Sequence, residues 1–391
     1  MADRRPVIVG IGLSDYPKAP HLDVLGHHAQ ALQRALADSG VDKASIDGIF
    51  TADAAIPGMA TYAVVEIAEY LGIQYRYADS TYTGGSSFEH HIQHAAHAVR
   101  TGACDTALVI YGSDLYSSVG RTLGTGGGDL RPFGMRQFES PYGNSVVGSY
   151  AMMATRHQHL YGTTEEHLAE VAVSTREYAR HNPSAMYRDP ITVDDVMASR
   201  YIADPLKLLD SCVVSDGGGA LIITTAERAK DLPKPAVHIL GSGVSQTHWS
   251  IHQSPTFSTT GAPTAGAAAY AEAGLRPDDV DALMTYDSFT ITVLLLIEGF
   301  GFCTPGEGGP FIADGNLRLD GRLPTNTDGG GLSSCHPGMR GMHLLVEAVR
   351  QLRGEAGAMQ VDDCDVVMAG GSGGWASAIG AVLLGTEAAA A

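Results

Sequence analysis

The chain opens on a short apolar run, Val7-Ile8-Val9-Gly10-Ile11-Gly12, which is too brief and wrongly flanked for a secretory signal and reads as a buried first strand. The same pattern returns downstream. Ser39-Gly40-Val41 leading to Ile46-Asp47-Gly48-Ile49-Phe50 has a counterpart in Ala273-Gly274-Leu275 leading to Val280-Asp281-Ala282-Leu283-Met284, and Gly40/Gly274 and Asp47/Asp281 share an offset of 234 positions. Each copy reads as a helix closed by a glycine, a short turn and an apolar strand. A second pair follows: a helix near 95–100 leads to a strand at 104–110, and a helix near 346–350 leads to a strand at 364–368 across a longer linker. Two copies in one order predict two similar α/β halves whose near-continuous apolar strands are buried on both faces.

The halves are expected at 1–230 and 231–391, joined by a linker at 231–235. Inside the first half, about 120–204, the pattern changes. Gly124-Thr125-Gly126-Gly127-Gly128 opens a stretch with Arg131, Phe133, Phe138 and Tyr142, then helices near 149–161 and 164–181, the latter announced by the capping signal Thr163-Thr164-Glu165-Glu166. This reads as an inserted loop domain that covers a site, before the chain returns to strand at 215–223.

Composition narrows the function. The 391 residues carry 25 Lys plus Arg against 43 Asp plus Glu, a net charge of −18, which argues against nucleic acid and anionic membrane surfaces. With 17% charged residues, 44% apolar residues and 48 glycines, the chain fits a large buried sheet core with many tight turns and not disorder. No apolar run is long enough to span a bilayer, and five scattered cysteines without CxxC spacing suit a reducing compartment, so a soluble cytoplasmic protein is expected.

Several groups of residues are candidates for chemistry. His90, His94 and His97 share a helix face and make a zinc site conceivable, but partly buried histidines bonding their neighbours are the stronger expectation, and no metal site is assigned. The glycine runs at 124–128 and 217–219 lack the Lys-[Ser/Thr] of a phosphate loop, although their amides could serve an oxyanion. Gly10-Ile11-Gly12 is an incomplete dinucleotide fingerprint, with Asp15 where a third glycine belongs. Trp249, with His248 and His252, reads as a surface loop or the lining of a ligand mouth. Tyr286-Asp287-Ser288-Phe289 ends a repeat strand, where α/β folds bind ligands. Asn326-Thr327-Asp328-Gly329-Gly330-Gly331 leads to Ser334-Cys335-His336-Pro337-Gly338 at the mouth of a helix starting near Gly341, and together these suggest an acid/base pair, Tyr286 with His336. Lys18, Lys43, Lys207, Lys230 and Lys234 all read as surface or linker positions, which disfavours a Schiff-base aldolase.

With Pro205-Leu206-Lys207-Leu208-Leu209-Asp210, Ser215-Asp216-Gly217, Tyr286-Asp287-Ser288-Phe289, Gly329-Gly330-Gly331-Leu332 and His336-Pro337-Gly338, the chain resembles the thiolase superfamily over nearly its whole length. It is most similar to the sterol-carrier-type branch of lipid-transfer proteins and acetyl-CoA acetyltransferases. The resemblance implies a five-layered αβαβα fold. It also implies an acyl-accepting cysteine where this chain has Gly85, and a second cysteine near 368–371, where none stands; Cys335 and Cys364 are out of register. An acyl-enzyme thiolase is therefore disfavoured.

Superfamily members without that cysteine resemble the retro-aldolases of bacterial steroid side-chain degradation, which act on β-hydroxyacyl-CoA thioesters. There a Tyr matching Tyr286 is implicated, with a second group, a Tyr in those aldolases, at the position of His336. The resemblance thus implies a carbon–carbon lyase releasing a ketone or aldehyde and a short acyl-CoA, with Tyr286, His336 and Asp287 catalytic and Gly85, Ser86, Gly373 and Gly374 binding substrate or an oxyanion. It implies no cofactor beyond the CoA of the substrate, a homodimer through the sheet of the first half, and a small zinc-ribbon/OB-fold partner protein. An acyltransferase or Claisen-type enzyme without an acyl-cysteine and a non-catalytic acyl-CoA- or lipid-binding subunit are the alternatives. Which of Tyr286 and His336 is the base stays open at this stage.

Overall fold

The computed structural model describes residues 3–52, 63–120 and 134–390; the stretch 124–128, Arg131 and Phe133 lie outside them. In the first half the described strands are β1 (Pro6–Leu13), β2 (Gly48–Thr51), β3 (Tyr77–Asp79), β4 (Thr106–Ser113), a separate pair β5 (Tyr201–Ala203) and β6 (Leu206–Lys207), and β7 (Gly217–Thr225). The second half adds β8 (Val237–Gln246), β9 (Ala282–Thr285), β10 (Val366–Gly373) and β11 (Ala378–Gly385). Apart from β5 and β6 they form one sheet in the order β3-β2-β4-β7-β1-β8-β11-β10-β9. That order reads as a near-palindrome about the β1–β8 seam: β1, β2, β4 and β7 correspond to β8, β9, β10 and β11. An isolated parallel bridge from Leu283 to Thr325 stands where β3 pairs with β2. Parallel β2–β4 matches parallel β9–β10, and antiparallel β4–β7 matches antiparallel β10–β11.

The helices follow the same duplication. The first half carries α1 (Val24–Ser39), α2 (Ala63–Leu71) and α3 (Ser87–Thr101). Between β4 and β8 come α4 (Leu115–Val119), α5 (Val146–Tyr161), α6 (Glu165–Ala179), α7 (Val193–Ala198) and α8 (Ala226–Ala229). The second half has α9 (Ala262–Ala273), α10 (Thr290–Gly299), α11 (Gly308–Ala313) and α12 (Gly341–Leu352). Outside the sheet, α1 packs on β1, β4 and β7, and α9 packs on β8 and β11. Between the halves, α3 and α12 touch each other and strands of both halves. The succession is helix, strands, helix, strands, helix, the layering expected. Of these two helices α12 is buried nearly all round, whereas α3 exposes His97, Arg100 and Thr101 towards its C-terminal end.

The repeated residues have repeated physical jobs. Gly40 and Gly274 close α1 and α9 in the left-handed conformation, with φ of 71° and 70°. Asp47 accepts the Asp105 and Thr106 amides at 2.9 and 2.8 Å where β4 begins; Asp281 accepts those of Asp365 and Val366, both at 2.8 Å, where β10 begins. Gly10 and Gly12 let α1 approach β1: a Cβ there would lie 2.7 and 2.4 Å from the Ala35 and Ala31 carbonyl oxygens. Gly241 and Gly243 do the same for α9 on β8, at 2.3 and 2.0 Å from the Ala269 and Ala265 oxygens. The incomplete fingerprint is thus one copy of a helix-on-strand contact.

Two expectations change. Gly217–Gly219 are the first residues of β7, paired with β4, so their amides belong to a sheet and not to an anion-binding turn. Lys207 is not at the surface. It is 2% exposed, ion-paired with Glu165, and its ammonium lies 4.5 Å from the Tyr201 ring centre. Burial pushes its pKa down, while the Glu165 carboxylate engages the ammonium. Among the described residues no helix is long and apolar enough to cross a membrane.

Because Asp281 holds two amides through one carboxylate, Asp281→Ala is expected to lower the unfolding free energy by about 2 kcal/mol. Urea unfolding followed by circular dichroism measures it, and a loss under about 0.5 kcal/mol would show that water replaces the carboxylate freely.

Candidate active site

Four segments meet at the ends of β9 and β10. The turn Gly84–Ser86 leads into α3, β9 ends at Thr285 just before Tyr286, a five-residue π-helical turn runs over Gly330–Ser334, and β10 ends at Gly373. The first and last of these are in direct contact. A Cβ on Gly84 would lie 3.2 Å from Gly373 Cα, and one on Gly373 would lie 1.7 Å from the Thr83 carbonyl oxygen and 3.1 Å from Ser86 Oγ. Gly85, Ser86, Gly373 and Gly374 are therefore brought together, as two turns packed backbone on backbone.

Tyr286 lies across this floor. Its amide donates to the Gly370 carbonyl at 2.9 Å, which extends the β9–β10 pairing by one residue and turns the side chain inward. A Cβ on Gly85 would sit 2.2 Å from two carbons of the Tyr286 ring and 2.4 Å from the Ser372 carbonyl oxygen. The phenol ring fills the space a side chain at position 85 would need. Tyr286 is 5% exposed, and burial drives its hydroxyl pKa well above the ordinary tyrosine value.

His336 faces the ring edge-on, with centroids 5.4 Å apart and planes at 84°. Its main chain is fixed: the amide donates to Ser215 Oγ at 2.9 Å. Its imidazole is not. Both ring nitrogens are buried with no hydrogen-bond partner among the described residues. Burial, reinforced by the Arg340 guanidinium, pushes its pKa down to about 4, so the ring is neutral at neutral pH.

Asp287 has a different place from its neighbour. Its two oxygens accept the Gly331 amide at 2.8 and 2.7 Å and the Leu332 amide at 3.1 Å, and Arg340 Nε lies 3.3 Å away. It is fully buried and holds the glycine turn that delivers His336. That makes it a positioning group whose lone pairs are already engaged. Arg340, equally buried, also donates to both oxygens of Asp328 at 2.6 and 2.7 Å and to the Cys335 carbonyl at 2.6 Å. Arginine ordinarily sits at surfaces, so nothing in the run Gly338-Met339-Arg340-Gly341 marked this one except its position at a buried helix start.

The segment between β4 and β7 closes over the glycine turn. Arg176 of α6 donates to Ser333 Oγ at 2.8 Å, Asn182 to the Asp328 carbonyl at 2.9 Å, and the amides of Met186 and Tyr187 to the Ser334 and Ser333 carbonyls, both at 3.0 Å. Tyr150 of α5 packs on Phe289 with centroids 4.7 Å apart and accepts the Ala376 amide at 3.2 Å. Trp249 is exposed and lies beside Trp375 at the outer end of the Gly373–Gly374 turn.

The histidines of α3 have separate lives. His90 bonds the Ser86 carbonyl at 2.9 Å, and His94 bonds Asp79 at 2.5 Å. Among the described residues no three His, Cys, Asp or Glu side chains are grouped so as to hold a metal. Cys335 is buried with its sulfur 3.2 Å from Ser215 Oγ and 3.4 Å from His343 Nε2, and burial pushes its thiol up to about 12.

Residues 243–386 match the family described as Thiolase C-terminal domain-like. Over 388 residues the chain is 36% identical to a steroid side-chain-cleaving aldolase of Thermomonospora curvata, covering 94% of this chain and 95% of that one. It is 35% identical to a 17-hydroxy-3-oxo-4-pregnene-20-carboxyl-CoA lyase of Mycobacterium tuberculosis, covering 90% and 93% respectively. A solved Ltp2–ChsH2(DUF35) aldolase superposes with a TM-score of 0.87 at 32% identity and 99% coverage of both chains. The chain belongs to the thiolase-like family that includes these side-chain-cleaving aldolases and lyases.

Proposed function

We propose that the protein is a lyase that cleaves the Cα–Cβ bond of a β-hydroxyacyl-CoA thioester by a retro-aldol reaction, with a steroid side chain as the acyl portion. The observation that carries the reading is the Tyr286 ring lying where a nucleophile at position 85 would stand, opposite an imidazole with both nitrogens free. This arrangement disfavours acyl transfer through an enzyme thioester and supports acid/base chemistry on a bound one. The side-chain-cleaving relatives support the steroid acyl group.

The protonation states suggest the division of labour. Neutral His336 has a lone pair to take the β-hydroxyl proton, whereas Tyr286 keeps its proton and serves as the acid. As the hydroxyl becomes a carbonyl, the electrons of the Cα–Cβ bond pass into the thioester enolate. Main-chain N–H groups of the turns at 84–86 and 373–374 are suited to hold the enolate oxygen. Tyr286 then delivers its proton to Cα, the short acyl-CoA leaves, and the proton held by His336 restores the phenol. The CoA of the substrate is the only carrier this scheme uses. Asp287 and Arg340 act through the turn that places His336.

We extend the proposal to assembly and location. The solved relative's name joins two components, Ltp2 and ChsH2(DUF35), which supports a small zinc-ribbon/OB-fold partner for this chain beside a homodimer of its own. Five free cysteines suit the reducing cytoplasm.

The central test is incubation with a tertiary β-hydroxyacyl-CoA and detection of ketone plus short acyl-CoA. Tyr286→Phe and His336→Ala are each expected to lower kcat/KM by about 100-fold or more with the fold retained, and unchanged turnover in both would remove the assignment. Because the neutral imidazole is the base, the acidic limb of the wild-type kcat/KM profile should come as the pH drops through about 4 and not near 6. Gly85→Cys should abolish lyase turnover without creating CoA-dependent β-ketoacyl cleavage, since its Cβ collides with the Tyr286 ring; thiolase activity in that variant would show the ring to be displaceable. Light scattering of the chain alone and with the partner should give a dimer and then a larger complex, and a fully active chain alone contradicts an obligatory partner.

A further inference from the structure

Glu89, in the first turn of α3, is fully buried, and neither carboxyl oxygen has a hydrogen-bond partner among the described residues. Three glycines on three other elements make its room. A Cβ on Gly371 of β10 would lie 2.0 Å from Oε2, one on Gly341 at the start of α12 would lie 2.6 Å from the same oxygen, and one on Gly380 of β11 would lie 2.5 Å from Glu89 Cβ. An apolar side chain would fill such a cradle at lower cost than a carboxyl whose hydrogen bonds are unmade.

The cradle adjoins the active site. The Gly341 position that touches Glu89 also touches the Gly85 carbonyl oxygen at 2.6 Å, and the Gly85 position touches the Tyr286 ring at 2.2 Å. Glu89 is thus one residue removed from Tyr286, where the amino ends of α3 and α12 converge. Those ends favour negative charge, whether an enolate in the site or a carboxylate behind it.

The titratable and charged groups on the elements packed against α3 do not compete for this carboxyl. On α3 itself, His90 and His91 are both pushed down by burial, His94 bonds Asp79 of β3, whose other titratable group is Tyr77, and His97 and Arg100 are exposed towards the far end, Arg100 paired with Glu272. At α12 stand Arg340, engaged by Asp287 and Asp328, with His343, Glu347 and Arg350. On β4 the group is Tyr111, which donates to the Pro337 carbonyl, and on β8 it is His238, paired with Glu387. β1, β2, β7, β10 and β11 carry none.

We propose that Glu89 is a positioning acid, held uncharged behind the catalytic floor, and that its ionisation switches the lyase off by occupying with fixed negative charge the helix ends that must serve the enolate. The proposal rests on the Tyr286–His336 reading of the site. Burial pushes this carboxyl up to about 8, which places the switch on the alkaline side of neutrality.

The experiment compares pH profiles of kcat/KM for the wild type and Glu89→Gln on the β-hydroxyacyl-CoA, alongside an infrared pH titration of the substrate-free wild type. Wild-type kcat/KM should fall about tenfold per pH unit above about 8, whereas Glu89→Gln, a permanent mimic of the neutral acid, should keep its activity through that range. A merely structural role would lower the plateau without removing the limb. The infrared band of a buried protonated carboxyl should vanish with the same midpoint as the limb, which decides the matter even if the variant does not fold. An unchanged alkaline limb in Glu89→Gln, or midpoints that disagree, overturns the role of Glu89 alone. Absence of turnover in the wild type overturns the lyase reading and the switch with it.

Discussion

A single guanidinium with no exposure holds the catalytic end of this protein in shape. Arg340 reaches Asp287 on one side and Asp328 on the other, and its remaining reach goes to the Cys335 carbonyl. Asp287 follows Tyr286 directly, and Cys335 directly precedes His336. The ion network therefore fixes the two proposed proton carriers relative to each other through their neighbours in sequence, without spending either carrier on a structural bond. Buried ion pairs of this kind contribute little net stability against apolar packing, but removing one partner leaves an uncompensated charge at large cost. Geometry of the site is the return on that arrangement.

The same economy explains the glycines. The site floor is backbone laid on backbone, from the turn before α3 to the end of β10, with the Tyr286 ring against it and His336 facing that ring. With glycine at position 85, the Tyr286 ring occupies the space that a side chain there would need.

The duplicated halves were legible in the chain because their signals are local: a glycine that ends a helix, an aspartate that starts a strand, and apolar runs of strand length. Tyr286 and His336 were legible for a related reason, since each stands at the end of a regular element. What escaped was everything decided by burial. Lys207 and Arg340 look like surface residues until the fold encloses them, and Glu89 sits in a run of histidines that draws attention to a metal and away from the carboxyl. The resemblance implies a catalytic Asp287; only the Gly331 and Leu332 amides show that its lone pairs are engaged. The missing cysteine could be noticed only through the family resemblance, and the ring that fills the space at Gly85 comes from a residue 201 positions away.

The seam between the halves has a consequence of its own. Among the described residues β1 and β8 meet through two residue pairs, Val7 with His238 and Ile8 with Val237. Such a joint is too slight to hold two bodies together, so the bond between them is the apolar middle layer that both halves share. The larger apolar core draws on residues of both halves, whereas a smaller one belongs to the first half alone. A strand of one copy therefore packs directly against a helix of the other, as α3 does on β8 and β11 and α12 on β1 and β7.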